Sequence, residues 1–184
     1  MQNTKPTTRN KPHGFRARLA IGTALATIAF GYGRGVAYAG ACTGSVGVYS
    51  CSGAAAGDTT QVLSGPSLAV TTNSGFGVST ATGNALSLTS SSGITFTDTH
   101  ASTITGAEKG IRAVNSSAGS VSITTTGAVT GNSSNGIFAV NNGNGTLSVT
   151  ATGPVTGKVG DGIRAYNHPV GQGTLTVTAG SVAG

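Results

Sequence analysis

The chain has 184 residues, of which 31 are Gly, 8% are charged and 5% are aromatic. The chain is rich in Gly, Ser, Thr, Ala and Val and has almost no Glu or Lys, so the composition favours an all-β or low-complexity chain over a helical enzyme. The low charge also argues against charge-driven disorder, which requires low hydropathy together with a high net charge.

The net charge of +6 belongs to the first segment of the chain. Six of the ten basic residues precede position 40, and no acidic residue lies there. The rest of the chain carries four basic and four acidic residues and is formally neutral. A basic isoelectric point normally indicates a nucleic acid or an anionic membrane as partner. Because the bulk of this chain is neutral, we predict no nucleic-acid partner.

Residues 1–39 have the three-part pattern of a cleaved secretory signal peptide. A basic segment is followed by an uncharged, mostly apolar stretch at 19–32 and by the small-x-small site AYA at 37–39. The 14 residues of the apolar stretch would reach about 21 Å as a helix, too short for a hydrocarbon core of about 30 Å. We therefore predict cleavage between Ala39 and Gly40, export, and a mature chain without a transmembrane helix.

Two cysteines, Cys42 and Cys51, lie close to the N-terminus of the predicted mature chain. An exported chain meets an oxidising compartment, so an even number of cysteines favours one disulfide. The alternatives are two free thiols or a metal site. A metal site would need further ligands, and His100 and His168 are distant in sequence, so we predict no metal and no other cofactor.

An internal repeat is the strongest signal in the chain. GIRAVN begins at Gly110, GIFAVN at Gly136 and GIRAYN at Gly162, so the starting positions are evenly spaced. Each unit contains short segments in which apolar residues alternate with Ser or Thr, the pattern of half-buried strands, and Gly- and Asn-rich turns separate them. One unit cannot bury its apolar side alone, so the units must stack. The sequence therefore predicts an all-β parallel β-helix, a solenoid with about 26 residues per coil.

Stacking of the units predicts columns of equivalent residues, about 4.8 Å apart along the axis. Three columns should face inward, and a fourth should lie in a turn where amide side chains can hydrogen-bond along the axis. The predicted columns are Ile111, Ile137 and Ile163; Ala113, Ala139 and Ala165; Val121, Leu147 and Leu175; and Asn115, Asn141 and Asn167.

The repeat is harder to follow before Gly110. Leu86 and Leu88 match Val121 and Ile123, at a spacing longer than the regular period. The longer spacing indicates an insertion of about nine residues, with an added strand at Ile94. The predicted organisation is a signal peptide at 1–39, a cap with the disulfide loop at 40–66, and β-helix coils at 67–184.

One outward-facing column has an unusual composition. Arg112, Phe138 and Arg164 are equivalent positions that alternate with the inward Ile and Ala, and Tyr166 lies nearby on the last unit. Such a stripe can stack through cation–π contacts. It is either a small binding patch for a glycan or a host protein, or a ladder that only stiffens the solenoid.

The basic leader, the AYA-Gly cleavage site, the early cysteine pair and the GIRAVN…SVSITTTGAVTG coils together resemble the passenger region of autotransporters, the type V secreted proteins of Gram-negative bacteria. The resemblance covers essentially the whole chain. It implies a right-handed β-helix, export through the periplasm, and display at the cell surface as an adhesin or a structural stalk. A host surface protein or glycan would then be the partner.

The family's C-terminal translocator barrel has no counterpart in this sequence, which stops at Gly184 in the middle of its repeat pattern. We expect part of a longer solenoid, a truncated product, or an open end that oligomerisation covers. Attached to a translocator, the chain would reach the cell surface or the medium; alone, it would stay in the periplasm.

Some β-helices are enzymes that cleave polysaccharides, and glycoside cleavage needs two carboxyl groups about 5–10 Å apart. The repeat places Lys109, Asn135 and Asp161 in one column, with Glu108 on the same edge. Charge pairing at a solvated edge accounts for these residues equally well. We therefore predict that the chain is not an enzyme; a polysaccharide-active enzyme and a remnant without independent function are the alternatives.

Overall fold

The structure, a computed structural model, describes residues 40–168 and 173–184, so the predicted leader lies outside the described residues. Within the described residues all regular structure is β, with fifteen strands and no helix. In chain order the strands are β1 (Ala41–Ser45), β2 (Val48–Ser52), β3 (Gln61–Gly65), β4 (Leu68–Thr72), β5 (Gly77–Ser79), β6 (Leu86–Ser90), β7 (Ile94–Thr97), β8 (Thr103–Gly106), β9 (Ile111–Asn115), β10 (Val121–Thr125), β11 (Val129–Gly131), β12 (Ile137–Asn141), β13 (Leu147–Gly157), β14 (Ile163–Asn167) and β15 (Leu175–Ala183).

From β2 onward the strands stack in parallel into a β-solenoid with three faces, and we call the stack of strands on each face a sheet. Sheets A and B are joined through the long strands β13 and β15, and sheet C is separate. Sheet A contains β2, β4, β7, β10 and the first parts of β13 and β15. Sheet B contains β5, β8, β11 and the last parts of β13 and β15, and sheet C contains β3, β6, β9, β12 and β14. The chain visits sheets C, A and B in that order, and the five strands of sheet C mark five turns. The predicted stack of parallel coils is therefore confirmed.

The four predicted columns are present in the register of the strands. In sheet C, Ile111 pairs with Ile137 and Ile137 with Ile163, and the Ala and Asn columns follow on the same strands. In sheet A, Val121 pairs with Leu147 and Leu147 with Leu175. Identical or similar side chains therefore stack directly over one another, as the repeat indicates.

The repeat also continues through the region before Gly110, and the predicted insertion there was wrong. Leu86 pairs with Ile111, and Ile94 pairs with Val121. In both pairs the partner lies about one repeat period further along the chain. Leu86 therefore belongs to sheet C, whereas Val121 belongs to sheet A. Both sheets display an apolar-x-apolar pair, so the pair by itself does not reveal the sheet to which it belongs.

Alternation along each strand builds the interior of the solenoid. In β9, Ile111 and Ala113 are buried while Arg112 and Val114 are partly exposed, and the same pattern recurs in β10 and β12. Parallel strands that pack one face on a core and leave the other in water show this period of two. The largest fully buried side chains include Phe96, Leu68, Leu86, Leu88, Ile94 and Ile104.

The first residues of the solenoid are held by an antiparallel pair. Cys42 lies opposite Cys51 across β1 and β2, and the two form the predicted disulfide, which is thereby confirmed. Strand β2 then pairs in parallel with β4, and β3 pairs in parallel with β6. Parallel stacking thus begins at Val48, inside the segment 40–66 that was predicted as a cap.

The coil that contains β14 and β15 differs in exposure from the coil before it. Leu147 and Val155 are buried, whereas their neighbours in register, Leu175 and Val182, are each 49% exposed. Within the described residues no strand pairs with the outer edge of β14 or β15. Side chains that form the core of earlier coils therefore face solvent here.

Candidate functional site

The four residues of the predicted binding stripe lie together on the outer surface of sheet C. Arg112, Phe138 and Arg164 pair in register across β9, β12 and β14, and Tyr166 follows two residues after Arg164. Arg112 and Phe138 are partly exposed, and Arg164 and Tyr166 are exposed. We call these four residues the sheet C patch.

The aromatic rings and cations at the patch contact one another. The rings of Phe138 and Tyr166 meet edge to face with their centres 6.3 Å apart. The guanidinium carbon of Arg164 lies 5.2 Å from the centre of the Tyr166 ring, and Arg164 Nε donates a hydrogen bond to the Tyr166 hydroxyl. The cation over the Phe138 ring is Lys109 Nζ, at 5.9 Å, and not one of the two arginines.

The predicted charged column forms an edge beside the patch. Asn135 donates a hydrogen bond of 3.3 Å to the carboxylate of Asp161, which also lies 3.9 Å from Arg164 Nε. The carboxylate of Glu108 lies 4.0 Å from Lys109 Nζ. Each exposed carboxylate is therefore beside a cation, in the manner of surface ion pairs worth at most about 1 kcal/mol each. That the chain is not an enzyme stays a prediction.

A buried carboxylate that was not among the predicted site residues lies at the corner between sheets A and B. Asp98 is fully buried, and its two oxygens accept hydrogen bonds from seven donors. The donors are the hydroxyls of Thr72 (2.7 Å), Ser102 (2.8 Å) and Thr125 (3.2 Å) and, at 3.1–3.3 Å, the backbone N–H groups of His100, Ser102, Thr126 and Gly127.

These donors keep Asp98 ionised although it is buried. Burial is the largest single influence and raises the pKa of the carboxyl group. The hydrogen bonds from Thr72, Ser102 and the N–H groups of His100 and Gly127 together outweigh burial and lower the pKa from 3.8 to about 2. Because Thr72 and Thr125 belong to the coils on either side, the carboxylate links three successive coils.

The sequence contains a signal that points to Asp98. Ile94, Phe96 and Asp98 alternate with threonines, and Ile94 and Phe96 are buried, so the same period of two places Asp98 on the inner face. An alignment that kept the regular period would have placed Asp98 between Thr72 and Thr125. The incorrect match of Leu86 with Val121 concealed this column.

The Asn column forms the corner between sheets C and A. Asn115 Nδ2 donates to Asn141 Oδ1 at 2.8 Å, and Asn141 Nδ2 donates to Asn167 Oδ1 at 3.2 Å. The same amide nitrogens also donate to turn carbonyl groups, such as Ala118 O at 2.7 Å for Asn115 and Gly145 O at 2.9 Å for Asn141. The predicted hydrogen bonding along the axis is therefore confirmed, and we call these three residues the Asn ladder.

The predicted cleavage site lies at the border of the described residues. Ala39 lies outside them. Gly40 is buried, and its N–H donates a hydrogen bond of 2.9 Å to Asp58 Oδ1. Asp58 is only 6% exposed and also accepts from the N–H groups of Ser79 (2.8 Å) and Ala56 (3.3 Å).

Residues 40–168 and 173–184 contain neither a cluster of metal-ligating side chains nor an apolar helix of membrane-spanning length. This part of the chain contains no group of three or more His, Cys, Asp or Glu side chains that could hold a metal ion. It also has no helix long and apolar enough to cross a membrane.

Comparisons with protein-family models, with curated proteins and with solved structures found no match to this chain. The fold is therefore known from the structure, and no relative assigns an activity.

Proposed function

We propose that this chain is an exported, passenger-like β-solenoid that acts at the cell surface as an adhesin, with the stacked coils as its stalk and the sheet C patch as its ligand contact. The observation that carries this proposal is the clustering of Phe138, Tyr166 and their neighbouring cations on one accessible sheet face. Aromatic rings beside arginines are the groups that dominate binding surfaces in proteins.

The distribution of exposed charge favours an anionic ligand. Of the four acidic residues after position 40, Asp58 and Asp98 are buried. The four basic residues after position 40 all reach the surface at least in part; they are Lys109, Arg112, Lys158 and Arg164. The accessible surface is therefore more positive than the formally neutral composition indicates. Three of these four cations and both exposed carboxylates, Glu108 and Asp161, lie in or beside the patch, which leaves an excess of one positive charge there.

The shape of the patch favours an extended polysaccharide over a compact ligand. Arg112 and Arg164 lie two strands apart, so their backbones are about 10 Å apart along the axis. A polysaccharide with one carboxylate or sulfate per disaccharide repeats its charge at about that interval. The C–H face of a sugar ring can stack on an exposed aromatic ring such as that of Tyr166, which is 43% exposed. We therefore propose an acidic glycan as the ligand.

Binding of purified protein to immobilised hyaluronate, an acidic polysaccharide with one carboxylate per disaccharide, tests this proposal. Replacing Arg112 or Arg164 by Ala should weaken binding by about tenfold, because each removes a charged contact. Lys158→Ala is the matched control, since it removes an exposed cation outside the patch and should change affinity by less than about twofold. Neutral dextran should not bind.

The structural alternative predicts a different result for the same variants. If the patch only stiffens the solenoid, the thermal midpoint of unfolding will fall in step with any loss of binding. Equal binding to polyglutamate would contradict an acidic glycan and favour an acidic protein segment. Unchanged binding in both Arg variants would contradict the patch as the ligand contact.

Export is part of the same proposal. Expression of the full chain in a Gram-negative host, followed by N-terminal sequencing of the periplasmic and extracellular fractions, should give a protein that begins at Gly40. Recovery of the uncleaved chain from the cytoplasm alone would contradict export.

A further inference from the structure

The residue after the predicted cleavage position contacts a buried carboxylate in the folded chain. Asp58 lies in the first turn of the solenoid, where it bridges to Thr80 of the next turn. Its three hydrogen-bond donors are backbone N–H groups, and one of them is the N–H of Gly40. The two ion pairs among the described residues involve Glu108 and Asp161 but not Asp58. A carboxylate this well buried is ordinarily compensated by a cation or by many hydrogen bonds.

We propose that removal of residues 1–39 places the new α-ammonium group of Gly40 on the Asp58 carboxylate, so that processing itself locks the first turn of the solenoid. This inference rests on the export that the proposed function includes. The signal peptidase of the exporting cell breaks the bond between the Ala39 carbonyl carbon and the Gly40 nitrogen. Water supplies the oxygen of the new Ala39 carboxylate, and the Gly40 amine takes up a proton at neutral pH to become an ammonium group.

The geometry for this ion pair is already present. Gly40 N lies 2.9 Å from Asp58 Oδ1, within the range of a charge-assisted hydrogen bond. Before cleavage this nitrogen is an uncharged amide; after cleavage it carries a full charge at the same position. A charge-assisted hydrogen bond is roughly twice as strong as a neutral one, so the processed chain holds its first turn more firmly than the precursor does.

Packing explains why Gly stands at position 40. A Cβ at this position would collide with the carbonyl oxygen of Gly77. Any larger residue would push the nitrogen away from Asp58. The requirement comes from the folded solenoid, because the small-x-small pattern of a cleavage site lies before the cut and not after it.

The test compares two processed proteins that differ in the position of the ammonium group. One is the natural chain; the other carries one Ser inserted between Ala39 and Gly40. Both are expressed as full chains, and mass spectrometry identifies the processed N-terminus. The insertion should raise the equilibrium constant for unfolding in urea about tenfold, which corresponds to about 1.4 kcal/mol. With Asp58→Asn in both chains, the insertion should change this constant by less than about twofold.

Several results would overturn the proposal. These are no effect of the inserted Ser, the same effect with Asp58→Asn, or a processed chain that begins at another residue. The last result also contradicts the proposed cleavage, whereas the first two leave export and the sheet C patch intact. Asp161→Asn, at an exposed carboxylate, is the matched control and should leave the effect of the insertion unchanged.

A second measurement covers the case in which Asp58→Asn does not fold. The α-amino group of the natural processed chain should react with an amine-specific acylating reagent at least about tenfold more slowly than that of the Ser-inserted chain. Only the free amine reacts, and the buried, charge-assisted hydrogen bond to Asp58 holds the proton on the nitrogen. Equal rates of reaction would show that the ammonium group is not held by Asp58.

Discussion

The two polar corners of the solenoid solve the same problem in different ways. Both turn the chain from one sheet to the next and must satisfy buried polar groups. At the corner between sheets C and A, one residue type repeats: Asn115 donates to Asn141, and Asn141 in turn donates to Asn167. At the corner between sheets A and B, the single charge of Asp98 gathers donors from three coils.

A ladder spreads its stabilisation over several coils, whereas a central charge concentrates it in one residue. An amide can donate and accept, so identical amides can continue a chain of hydrogen bonds. A carboxylate only accepts, so a second carboxylate in its column would repel it, and the neighbours must be donors such as Thr72 and Thr125. Loss of Asp98 should therefore cost more than loss of any single Asn.

Asp98→Ala should have the largest effect. It leaves the hydroxyls of Thr72 and Ser102 and several backbone N–H groups buried without an acceptor, so the free energy of unfolding should fall by about 4 kcal/mol. Urea denaturation of the purified protein measures this change. Asp161→Ala, at an exposed carboxylate, is the control and should stay within about 0.5 kcal/mol. A loss below about 1 kcal/mol for Asp98→Ala would contradict the central role of this charge.

Asn141→Ala should come next. Asn141 accepts from Asn115 Nδ2 and from the N–H of Gly143 and donates to Gly145 O, all in the interior of the stack. Removing it should lower the free energy of unfolding by about 3 kcal/mol. Asn142→Ala, at the exposed neighbouring residue, should be nearly neutral. Equal effects of the two substitutions would mean that the ladder contributes no more than the turn.

A fall in pH should weaken the corner between sheets A and B and leave the Asn ladder unchanged, because Asp98 titrates and amide side chains do not. The pKa of Asp98 is about 2 in the folded chain, below its ordinary value of 3.8. Folding therefore favours the ionised form, and its contribution is fully present above about pH 4 and lost as the pH falls through about 2. The loss should reach about 2 kcal/mol. Urea midpoints from pH 6 down to pH 2 should fall more steeply for the natural chain than for Asp98→Asn.

Asn167→Ala should have the smallest effect. Asn167 is the last member of the ladder and is partly exposed, so water can replace the hydrogen bonds to Asn141 and to Gly173 O. The free energy of unfolding should fall by about 1 kcal/mol. If Asn167→Ala matched Asn141→Ala in urea denaturation, position within the stack would not matter, and the ladder would not behave as a cooperative unit.

Much of the fold could be predicted from the repeat. The spacing from Gly110 to Gly136 to Gly162 indicates the stacking, and the columns of Ile, Ala and Asn follow from it because equivalent residues must lie over one another. The prediction failed at Leu86, where composition does not separate two sheets that both alternate apolar and small polar residues. The same failure concealed Asp98 as part of a column.

The candidate site was predictable only in part. The stripe of Arg112, Phe138 and Arg164 follows from the repeat, whereas the contact between Lys109 and Phe138 depends on how a turn residue reaches over the next strand. No local pattern brings Gly40 to Asp58, since 18 residues separate them and the contact depends on how the first turn closes.

The β-solenoid, its period, the disulfide between Cys42 and Cys51 and the Asn ladder could be predicted from the sequence alone, because each follows from residues that recur at a constant spacing or stand close together in the chain. The structure was needed to assign the strands before Gly110 to their sheets, to show that Asp58 is buried, and to identify the donors around both buried carboxylates. Those properties depend on the register between coils, and a shift of that register changes every contact at a corner while leaving the local alternation of side chains unchanged.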